Sequence, residues 1–449
     1  MSVLVLTACA TDAEPNPTPT PTRTADGIVP APLQSRRSSW GADSFSRGSV
    51  SYLAVGSTVD HREALREPLI DRVFFAGEAS ATENAGTVAG AIASGNRAAI
   101  DLHEVADSSD RIAVIGAGAA GAEAARILTL RGYDVVVIEA RDRIGGRIET
   151  VSSDDWPFPI ELGAWRQYAG ADAEVLAALA DIDVEVAPLA EATAVYRSPS
   201  GESETDTIAP AAVASALEWA AAQASDLPLA AALEDSGAAG TAQSADSGEV
   251  GGEELLQQHL ALLSTVYGAD AGELSSWFTP DVDEAPTVVT GGFTALLDDS
   301  LEDVETFLST TVLGIAYSDE GVSLRLGTGE SLSVQRAVVT VPLGVLKDNG
   351  IEFDPLLPFP HRTAIAALGM GTIDTVWLRF EEPFWSTDAV LWNLVGTDDD
   401  VTVWYNLEPI TGEPILVGLV GGEAALRTEE LDDQEFIDSL LLTLVPFAS

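Results

Sequence analysis

Residues 112–121 read Ile-Ala-Val-Ile-Gly-Ala-Gly-Ala-Ala-Gly, and this stretch decides the fold. The four leading apolar residues predict a buried parallel strand, and the glycine spacing after them is typical of the turn from such a strand into a helix. Gly116 permits the tight turn, Gly118 lets the backbone approach a pyrophosphate, and Gly121 lets helix and strand pack closely. The helix that begins here would direct free N–H groups and a positive dipole end at the phosphates.

A second strand and an acidic residue complete the pattern. Residues 134–138 (Asp-Val-Val-Val-Ile) predict a parallel strand, and Glu139 follows at its carboxyl end. An acidic side chain at this point accepts hydrogen bonds from the ribose hydroxyls of an adenine dinucleotide, which disfavours NADP. Strand, glycine turn, helix, strand and acid occur in the order of a dinucleotide-binding unit, so the prediction does not rest on the glycines alone.

The continuation at residues 139–147 separates FAD from NAD. It reads Glu-Ala-Arg-Asp-Arg-Ile-Gly-Gly-Arg and resembles the E-A-x-x-R-x-G-G-R stretch of flavin-dependent amine oxidases. In that family Arg147 would meet the pyrophosphate and ribityl chain. The backbone of Gly163 and Ala164 would lie near the flavin ring, and that of Val312 would bracket the adenine. Further segments that match the family pattern are 161–165, 288–293, 311–315, 337–346 and 378–385.

The family's closing motif stands near the front of this chain. That motif is F-A-G-E-A followed by T-V-x-G-A-x-x-S-G-x-x-A-A. It is resembled here by residues 75–79 and 87–99. Residues 36–103 therefore supply what 111–449 lack, and we interpret the order as a circular permutation with a new connection at 103–110. Eight residues reach at most about 26 Å, so the joined ends must lie close together. Three alternatives stay open: domain swapping into a neighbouring subunit, a shuffled pseudogene, and a sequence assembled in the wrong order.

The closing motif implies two further cofactor contacts. In the family its glutamate, here Glu78, contacts the ribityl–pyrophosphate region. The helix that begins near Thr87 and Val88 would direct its N-terminal dipole at the flavin O2 atom, where negative charge develops on reduction. Together, the glycine motif and the resemblance predict these FAD-binding residues: Gly116, Gly118, Ala120, Gly121, Glu139, Ala140, Arg141, Gly146, Arg147, Gly163, Ala164, Val312, Gly77, Glu78, Thr87 and Val88.

Three positions depart from the family pattern. Many members carry a lysine that holds a water near flavin N5, and here Thr375 stands at that position, whereas Lys347, the only lysine, lies outside the motif. Some members attach the flavin through a cysteine where this chain has Ser49, so the FAD is expected to be non-covalent. Val50 and Thr87 occupy positions where many members place aromatic rings before the flavin.

The resemblance implies an FAD-dependent amine oxidase that transfers hydride from an amine to flavin N5 and is reoxidised by O2 to give hydrogen peroxide. The expected partners are a small-molecule amine and O2, and the oligomeric state stays open. Arg166 could instead pair with a substrate carboxylate, because amino-acid oxidases show E-L-G-A-M-R there, so an L-amino-acid oxidase is one alternative. A non-catalytic flavoprotein or surface binding lipoprotein is another.

Composition excludes several classes of protein. The chain carries 22 basic and 71 acidic residues, a formal net charge of -49, which repels nucleic-acid phosphates and anionic lipid headgroups. Hydrophobic residues make up 46% of the chain, which excludes disorder as a whole. The single cysteine excludes an intrachain disulfide and a cysteine-based metal site, so no metal is predicted. No apolar run approaches the roughly 18 residues of a spanning helix.

The N-terminus predicts export and a lipid tether. Leu6-Thr7-Ala8-Cys9 resembles a bacterial lipobox, in which the cysteine is lipidated. Proline alternates with asparagine and threonine over residues 15–22, which predicts an extended, solvated spacer. We therefore expect a cell-surface lipoprotein that meets the membrane only through its lipid. The alternative is a cytoplasmic protein with a disordered tail and an incidental cysteine.

The predicted fold class is α/β, with a Rossmann-like FAD-binding domain and a discontinuous, mixed α+β substrate domain. Residues 1–35 are assigned to the lipobox-like terminus and spacer. Residues 236–254 are expected to form a flexible loop in the substrate domain. The FAD domain is assigned to 36–103, 111–190 and 286–345, and the substrate domain to 191–285 and 346–449.

Overall fold

The computed structural model describes residues 28–189, 193–198, 201–203, 206–245, 250–278 and 286–448. The predicted lipidation site Cys9 and the proline-rich spacer lie outside the described residues. Within these ranges, no helix is both long enough and apolar enough to cross a membrane. The same ranges contain no cluster of side chains that could hold a metal ion.

Within the described ranges, the strands belong to six sheets. In chain order they are β1 (Gln34–Arg37), β2 (Val50–Tyr52), β3 (Val73–Phe75), β4 (Arg111–Ile115), β5 (Asp134–Ile138), β6 (Thr150–Val151), β7 (Ile160–Glu161), β8 (Arg166–Gln167), β9 (Val186–Pro188), β10 (Ala194–Ser198), β11 (Gly201–Ser203), β12 (Thr287–Val289), β13 (Glu305–Phe307), β14 (Val312–Ser318), β15 (Gly321–Leu326), β16 (Ser331–Val334), β17 (Arg336–Val339), β18 (Glu352–Asp354), β19 (Gly369–Gly371), β20 (Ile373–Arg379), β21 (Leu391–Leu394), β22 (Val403–Asn406) and β23 (Ile415–Gly421).

The helices flank these sheets. In chain order they are α1 (Val59–Arg66), α2 (Val88–Val105), α3 (Ala119–Leu130), α4 (Ala169–Asp181), α5 (Ile208–Ala221), α6 (Leu229–Asp235), α7 (Ala238–Gln243), α8 (Gly252–Tyr267), α9 (Ala295–Leu301), α10 (Leu343–Lys347), α11 (Phe359–Ala367), α12 (Glu408–Thr411), α13 (Gly422–Glu429) and α14 (Asp433–Leu444). The α/β fold class is confirmed.

A five-stranded sheet in the order β13-β5-β4-β17-β3 forms the centre of the dinucleotide-binding domain. All four pairings are parallel, and β4 lies between β5 and β17. Residues 112–115 and 135–138 are buried, as their apolar runs predict for strands covered on both faces. The glycine turn after β4 leads into α3, so the predicted strand–turn–helix–strand unit is confirmed.

The front of the chain completes this sheet. Strand β3 pairs in parallel with β17, and α2 packs on α3. The two helices meet at Gly95, where a β-carbon would lie 2.2 Å from the carbonyl oxygen of Ala120. Only a residue without a side chain lets the helices approach this closely. Residues 73–105 therefore belong to the dinucleotide-binding domain of their own chain.

Arg336 fixes the connection between α2 and β4. Its guanidinium donates to the Asp110 carboxylate at 2.8 Å, to the Val105 carbonyl oxygen at 2.6 Å and to the carbonyl oxygen of Asp71. Both Arg336 and Asp110 are buried. Loss of one partner from such a pair typically costs about 3–5 kcal/mol, because the other charge stays buried without compensation. The connection is therefore part of the core and not a loose linker.

The second domain is built on a seven-stranded sheet in the order β1-β20-β23-β22-β21-β10-β11. Its strands pair antiparallel except for β10 with β21. Trp377, Trp392 and Trp404 are fully buried at this sheet. Strands β20 and β23 of this mixed sheet form one side of the cavity described below.

Two sequence predictions need correction here. Residues 34–37, assigned to the spacer and the FAD domain, form β1 at the edge of the seven-stranded sheet, because the outer edge of β20 offers unpaired backbone groups to them. Residues 236–254, expected to be a flexible loop, include α7 and the start of α8. Their small residues favour a loop, but Ala238 and Ala242 are buried in a helical cluster that overrides this local preference.

Candidate functional site

A cavity of about 430 Å³ runs from the carboxyl ends of β4 and β5 to strands β20 and β23 of the large sheet. Ligands of open α/β sheets bind at this end of the parallel strands. Its wall includes Thr375, Arg166 and every predicted FAD-binding residue except Gly121. Those lining residues are Gly116, Gly118, Ala120, Glu139, Ala140, Arg141, Gly146, Arg147, Gly163, Ala164, Val312, Gly77, Glu78, Thr87 and Val88.

The three glycines of the opening motif have different surroundings. Gly116 has a φ of +107°, and a β-carbon there would lie 2.6 Å from Thr340 Oγ1. A β-carbon on Gly121 would lie 1.9 Å from the carbonyl oxygen of Gly116, so Gly121 packs inside the domain and does not reach the cavity. A β-carbon on Gly118 meets nothing closer than the Gly145 oxygen at 3.7 Å. The open space beside Gly118 fits a pyrophosphate.

A second glycine turn lies directly beside the first at the edge of the cavity. Gly145 and Gly146 have φ values of +102° and +59°, and the Gly145 N–H donates to the carbonyl oxygen of Ala117 at 2.9 Å. The first turn of α3 begins after Gly118, and Ala119 and Ala120 line the cavity beside it. Backbone N–H groups of a helix N-terminus, held between two glycine turns, suit the phosphates of a dinucleotide.

Glu139 is held in place by backbone donors. One carboxylate oxygen accepts the Ala117 N–H at 2.7 Å, and the other accepts the Arg141 N–H at 2.8 Å. Each oxygen keeps a further lone pair for hydroxyl groups. The side chain lines the cavity at the carboxyl end of β5, where ribose hydroxyls are expected.

Glu78 joins the front segment to the glycine-rich stretch. It accepts from Arg147 at 3.0 Å, from the Ser51 hydroxyl at 2.6 Å and from the Gly86 N–H at 3.1 Å. Arg62 donates to Ser51 at 2.7 Å. Burial alone would raise the pKa of Glu78, but Arg147 and Arg62 outweigh it and hold that pKa below the usual value. The carboxylate is thus ionised and fixed beside the cavity.

Arg141 lines the cavity, but its charge is already engaged. Its two terminal nitrogens donate to the Asp43 carboxylate at 2.7 and 2.8 Å, and one of them also donates to the Ser46 hydroxyl. Burial would raise the pKa of Asp43, but Arg141 outweighs it and the pKa is lowered. This bidentate pair fixes residues 43–46 as a wall of the cavity.

Thr87 caps helix α2 at the cavity. Its hydroxyl accepts the Gly90 N–H at 3.0 Å and donates to the Asn84 carbonyl oxygen at 2.8 Å. Thr87 and Val88 both line the cavity. The side chain of Thr87 therefore satisfies one of the free N–H groups at this end of the helix, which lies at the cavity.

Trp40, Leu162 and Thr375 form one wall of the cavity, which is joined at the carbonyl oxygen of Leu162. The indole N–H of Trp40 donates to it at 3.0 Å, and the Thr375 hydroxyl donates to it at 3.2 Å. All three residues line the cavity. Thr375 therefore occupies the wall that the family pattern predicts for a lysine. Lys347 lies elsewhere and donates to the carbonyl oxygens of Ile365, Ala366 and Leu368 at the end of α11.

Arg166 lines the cavity from β8. It donates to the Thr265 carbonyl oxygen at 2.6 Å and contacts the hydroxyl of Tyr405. Burial would lower the pKa of Arg166, but Tyr168 and Tyr405 more than offset it and the pKa is raised. The guanidinium is therefore a fixed positive charge in the cavity wall, and its predicted role toward a carboxylate stays a prediction.

Several lining residues carry no sequence signal of a cofactor site. Trp40 and Phe45 reach the cavity through contacts between segments that are far apart in the chain. Val266 on α8 and Leu419 on β23 reach it from the second domain. Only the three-dimensional fold brings these residues to one place, so a local motif could not have found them.

Comparisons with known proteins agree with this geometry. The family model "Flavin containing amine oxidoreductase" matches residues 23–103 and 119–447. Polyamine oxidase 4 of Oryza sativa subsp. japonica is 28% identical over 363 residues, covering 74% of this chain and 72% of its own length. Putrescine oxidase bound to putrescine is similar in fold, with a TM-score of 0.59 at 20% identity, over 76% of this chain and 82% of that one. Cyclohexylamine oxidase from Brevibacterium oxydans has a TM-score of 0.59 at 21% identity and the same coverage.

The open space at Gly118 makes a prediction about FAD. Gly118→Ala has room for its methyl group and an ordinary backbone conformation, so we expect a folded protein. The methyl group would stand where the pyrophosphate approaches, so the FAD dissociation constant should rise about tenfold or more, or about 1.4 kcal/mol. Titration of the apoprotein with FAD, followed by flavin fluorescence, measures the change.

Two other glycines serve as controls for this variant. Gly272→Ala adds a methyl group in open space away from the cavity, so it should bind FAD as the wild type does. Gly121→Ala drives α3 away from β4 and should lose both FAD binding and stability to urea. Wild-type FAD affinity in Gly118→Ala would contradict the assignment of this space to the pyrophosphate.

Proposed function

The chain belongs to the family of flavin-containing amine oxidoreductases, and on that premise we propose that it oxidises small aliphatic amines with FAD and O2. The observation that carries the proposal is the cavity itself, which joins the glycine cradle to an apolar chamber in the second domain. Val50, Val266 and Leu419 line that chamber. The relatives named for polyamine and putrescine oxidation support an aliphatic substrate.

The chain's own residues would position the cofactor and keep water away. The chemistry that bound FAD would supply here is hydride acceptance at N5 and reoxidation by O2 with release of hydrogen peroxide. The N-termini of α2 and α3 present N–H groups, and Glu139 offers acceptors to ribose hydroxyls. Water hydrolyses the resulting imine to an aldehyde and ammonia or an amine, so no protein nucleophile is required. The apolar chamber orients the neutral amine before the flavin.

The acidic surface favours cationic substrates in solution. A net charge of -49 attracts ammonium ions toward the protein and raises their local concentration. Inside the cavity, Arg166 acts in the opposite sense, since its guanidinium would repel a second ammonium placed beside it. We therefore propose that one amino group is oxidised at the flavin and that any second ammonium points away from Arg166.

A matched pair of substrates tests the reaction. Putrescine and ornithine share a carbon skeleton, and ornithine carries an added carboxylate. We expect putrescine to bleach the flavin absorbance under anaerobic conditions, and O2 to restore it with one hydrogen peroxide per cycle. Ornithine should not bleach it, because Arg166, the cation in the cavity wall, is already engaged by the Thr265 carbonyl oxygen and by Tyr405. Bleaching by ornithine and other amino acids alone would instead favour the L-amino-acid oxidase, and a bound flavin that no amine reduces would favour a non-catalytic flavoprotein.

We also propose that the order of segments is a circular permutation. The two ends of the described chain support it, because Val29 and Phe447 pack in one hydrophobic cluster. A chain that began at β4 and ran through residue 448 into residue 29 would close at that cluster and end after α2. The ion pair of Arg336 with Asp110 would then mark the newer connection.

A rearranged gene tests this proposal. Residues 110–448, joined by a short glycine–serine linker to residues 29–105, keep Asp110 beside Arg336 and should fold and bind FAD with the wild-type affinity. The comparison uses FAD titration and urea unfolding of both proteins. A control places the same linker between residues 105 and 110 of the natural order. A rearranged protein that aggregates, beside a control that folds, would contradict the permutation.

Finally, we propose that the protein is exported and tethered by a lipid on Cys9. The lipobox-like Leu6-Thr7-Ala8-Cys9 and the proline-rich spacer support this location. In the native host, Cys9→Ser should move the protein from the membrane fraction to the soluble fraction and abolish labelling by a radioactive fatty acid. Ser2→Ala is the control and should stay in the membrane fraction. Wild-type protein without lipid label would contradict the tether.

A further inference from the structure

We propose that the carboxyl groups of Asp374 and Glu429 share one proton and act as a positioning pair for the cavity wall formed by Trp40, Leu162 and Thr375. The inference rests on the proposed FAD site, because it assigns the pair an effect on FAD affinity. Neither carboxyl belongs to the cavity wall itself. Their effect is therefore transmitted through the backbone of residues 38–41.

The two carboxyls hold consecutive backbone N–H groups of the front segment. Asp374, on β20, accepts the Trp40 N–H at 2.9 Å. Glu429, at the end of α13, accepts the Gly41 N–H at 2.7 Å. Asp374 also accepts the Ser38 hydroxyl at 2.7 Å through the same oxygen that binds Trp40. The front segment is thus clamped between a strand and a helix that are both far away in sequence.

The clamp continues into the cavity wall. The Thr375 N–H donates to the Ser38 hydroxyl oxygen at 2.9 Å. The Trp40 indole and the Thr375 hydroxyl then converge on the carbonyl oxygen of Leu162. A shift of residues 38–41 would therefore move two of the three residues that form this wall.

The pair needs a proton to be stable. The second carboxylate oxygen of Asp374 is buried, and no donor reaches it other than the carboxyl of Glu429. Two carboxylates can bond to each other only if one is protonated. Burial, together with the Glu429 carboxyl, raises the pKa of Asp374 to about 7. The geometry and the raised pKa of Asp374 therefore point to one shared proton below neutral pH.

No cation offsets the pair among the described residues. On the neighbouring strand β1, Arg37 donates to carbonyl oxygens of Thr428 and Leu431 and pairs with Asp433. On α13, Arg427 pairs with Asp400. No ion pair to Asp374 or Glu429 occurs in the described ranges, so loss of the proton leaves two negative charges facing each other.

The sign of the pH effect follows from this arrangement. Below about pH 7 the pair holds its proton and keeps residues 38–41, and with them the cavity wall, in place. Above that pH Asp374 loses its proton and no hydrogen remains between the two carboxyl groups. The position of residues 38–41 that forms the cavity wall then becomes less favourable, and the FAD dissociation constant rises. Because one proton is linked to the change, the rise is at most about tenfold per pH unit.

FAD titration of the apoprotein between pH 6 and 9 tests the proposal. The wild-type dissociation constant should rise at least threefold between pH 6.5 and 8.5. In Asp374→Asn the side-chain amide donates to Glu429 as the proton did, and its oxygen still accepts from Ser38 and Trp40. That variant should show a flat profile with the affinity that the wild type has at pH 6.5. In Glu429→Gln the side-chain amide donates to Asp374 instead, so this variant should also show a flat profile.

Two variants separate the pair from other acids. Glu430→Gln removes an exposed charge next to the pair and should keep the wild-type profile. Glu161 is also buried, and burial raises its pKa to about 7 despite donors from Phe293 and Thr150. Glu161→Gln should therefore keep the rise in the FAD dissociation constant, because Glu161 does not bind residues 38–41. A flat wild-type profile, or the same rise in Asp374→Asn and Glu429→Gln, would overturn the proposal.

Urea unfolding of the apoprotein tests the pair independently of FAD. A carboxyl whose folded pKa is raised loses stability as pH rises from its unfolded value, near 4, to its folded value, near 7. The wild-type urea midpoint should fall more steeply over this range than that of Asp374→Asn. Equal slopes would count against the shared proton. A wild-type protein that binds no FAD at any pH would instead overturn the proposed function, and the unfolding slopes would still decide the pair.

Discussion

The contact between Gly121 and the carbonyl oxygen of Gly116 is the constraint on which the rest of the structure depends. Because a β-carbon at Gly121 would lie 1.9 Å from that oxygen, only glycine lets α3 begin directly at the end of β4. This placement carries the first turn of α3 into the cavity. It also presents Ala120 to Gly95, where α2 crosses closely enough that its own N-terminus reaches the same cavity. Two close approaches of backbone thus direct two helix dipoles at one site.

The cavity exists only when the front segment is docked, and buried charges hold it there. Asp43 pairs with Arg141, and Glu78 pairs with Arg147, so each pair joins the front segment to the glycine-rich stretch across the cavity. All four side chains are at least three-quarters buried. Removal of one partner would leave a poorly solvated charge, whereas an exposed pair such as Arg325 with Glu352 contributes little. The ion pairs therefore make the wall of the cofactor site depend on correct docking.

Short-range signals predicted much of the fold and most of the predicted FAD-binding residues that line the cavity. The run at 112–115, the glycine turn and Glu139 act within one strand–helix–strand unit, so their spacing alone indicates their geometry. Arg141 shows the limit of such signals, because the motif predicts an FAD-binding residue there but gives no indication that Asp43 engages its guanidinium. The pair of Asp374 and Glu429 has no local sequence signal. Its hydrogen bonds join Ser38 to Asp374 and Gly41 to Glu429, pairs that lie 336 and 388 residues apart, and each residue alone resembles an ordinary surface position.

The absent lysine changes the electrostatics of the flavin end. The only lysine caps α11, so Thr375 brings a hydroxyl and no positive charge to the wall. Behind that wall lie two acidic groups, Asp374 and Glu429, and each ionised carboxylate there would oppose the negative charge that develops on a reduced flavin. A proton retained by the pair removes one of those charges, and the N-terminus of α2 supplies partial positive charge from the opposite side. With Thr375 in this wall, the balance of charge at the proposed site would rest on a helix dipole and the proposed shared proton.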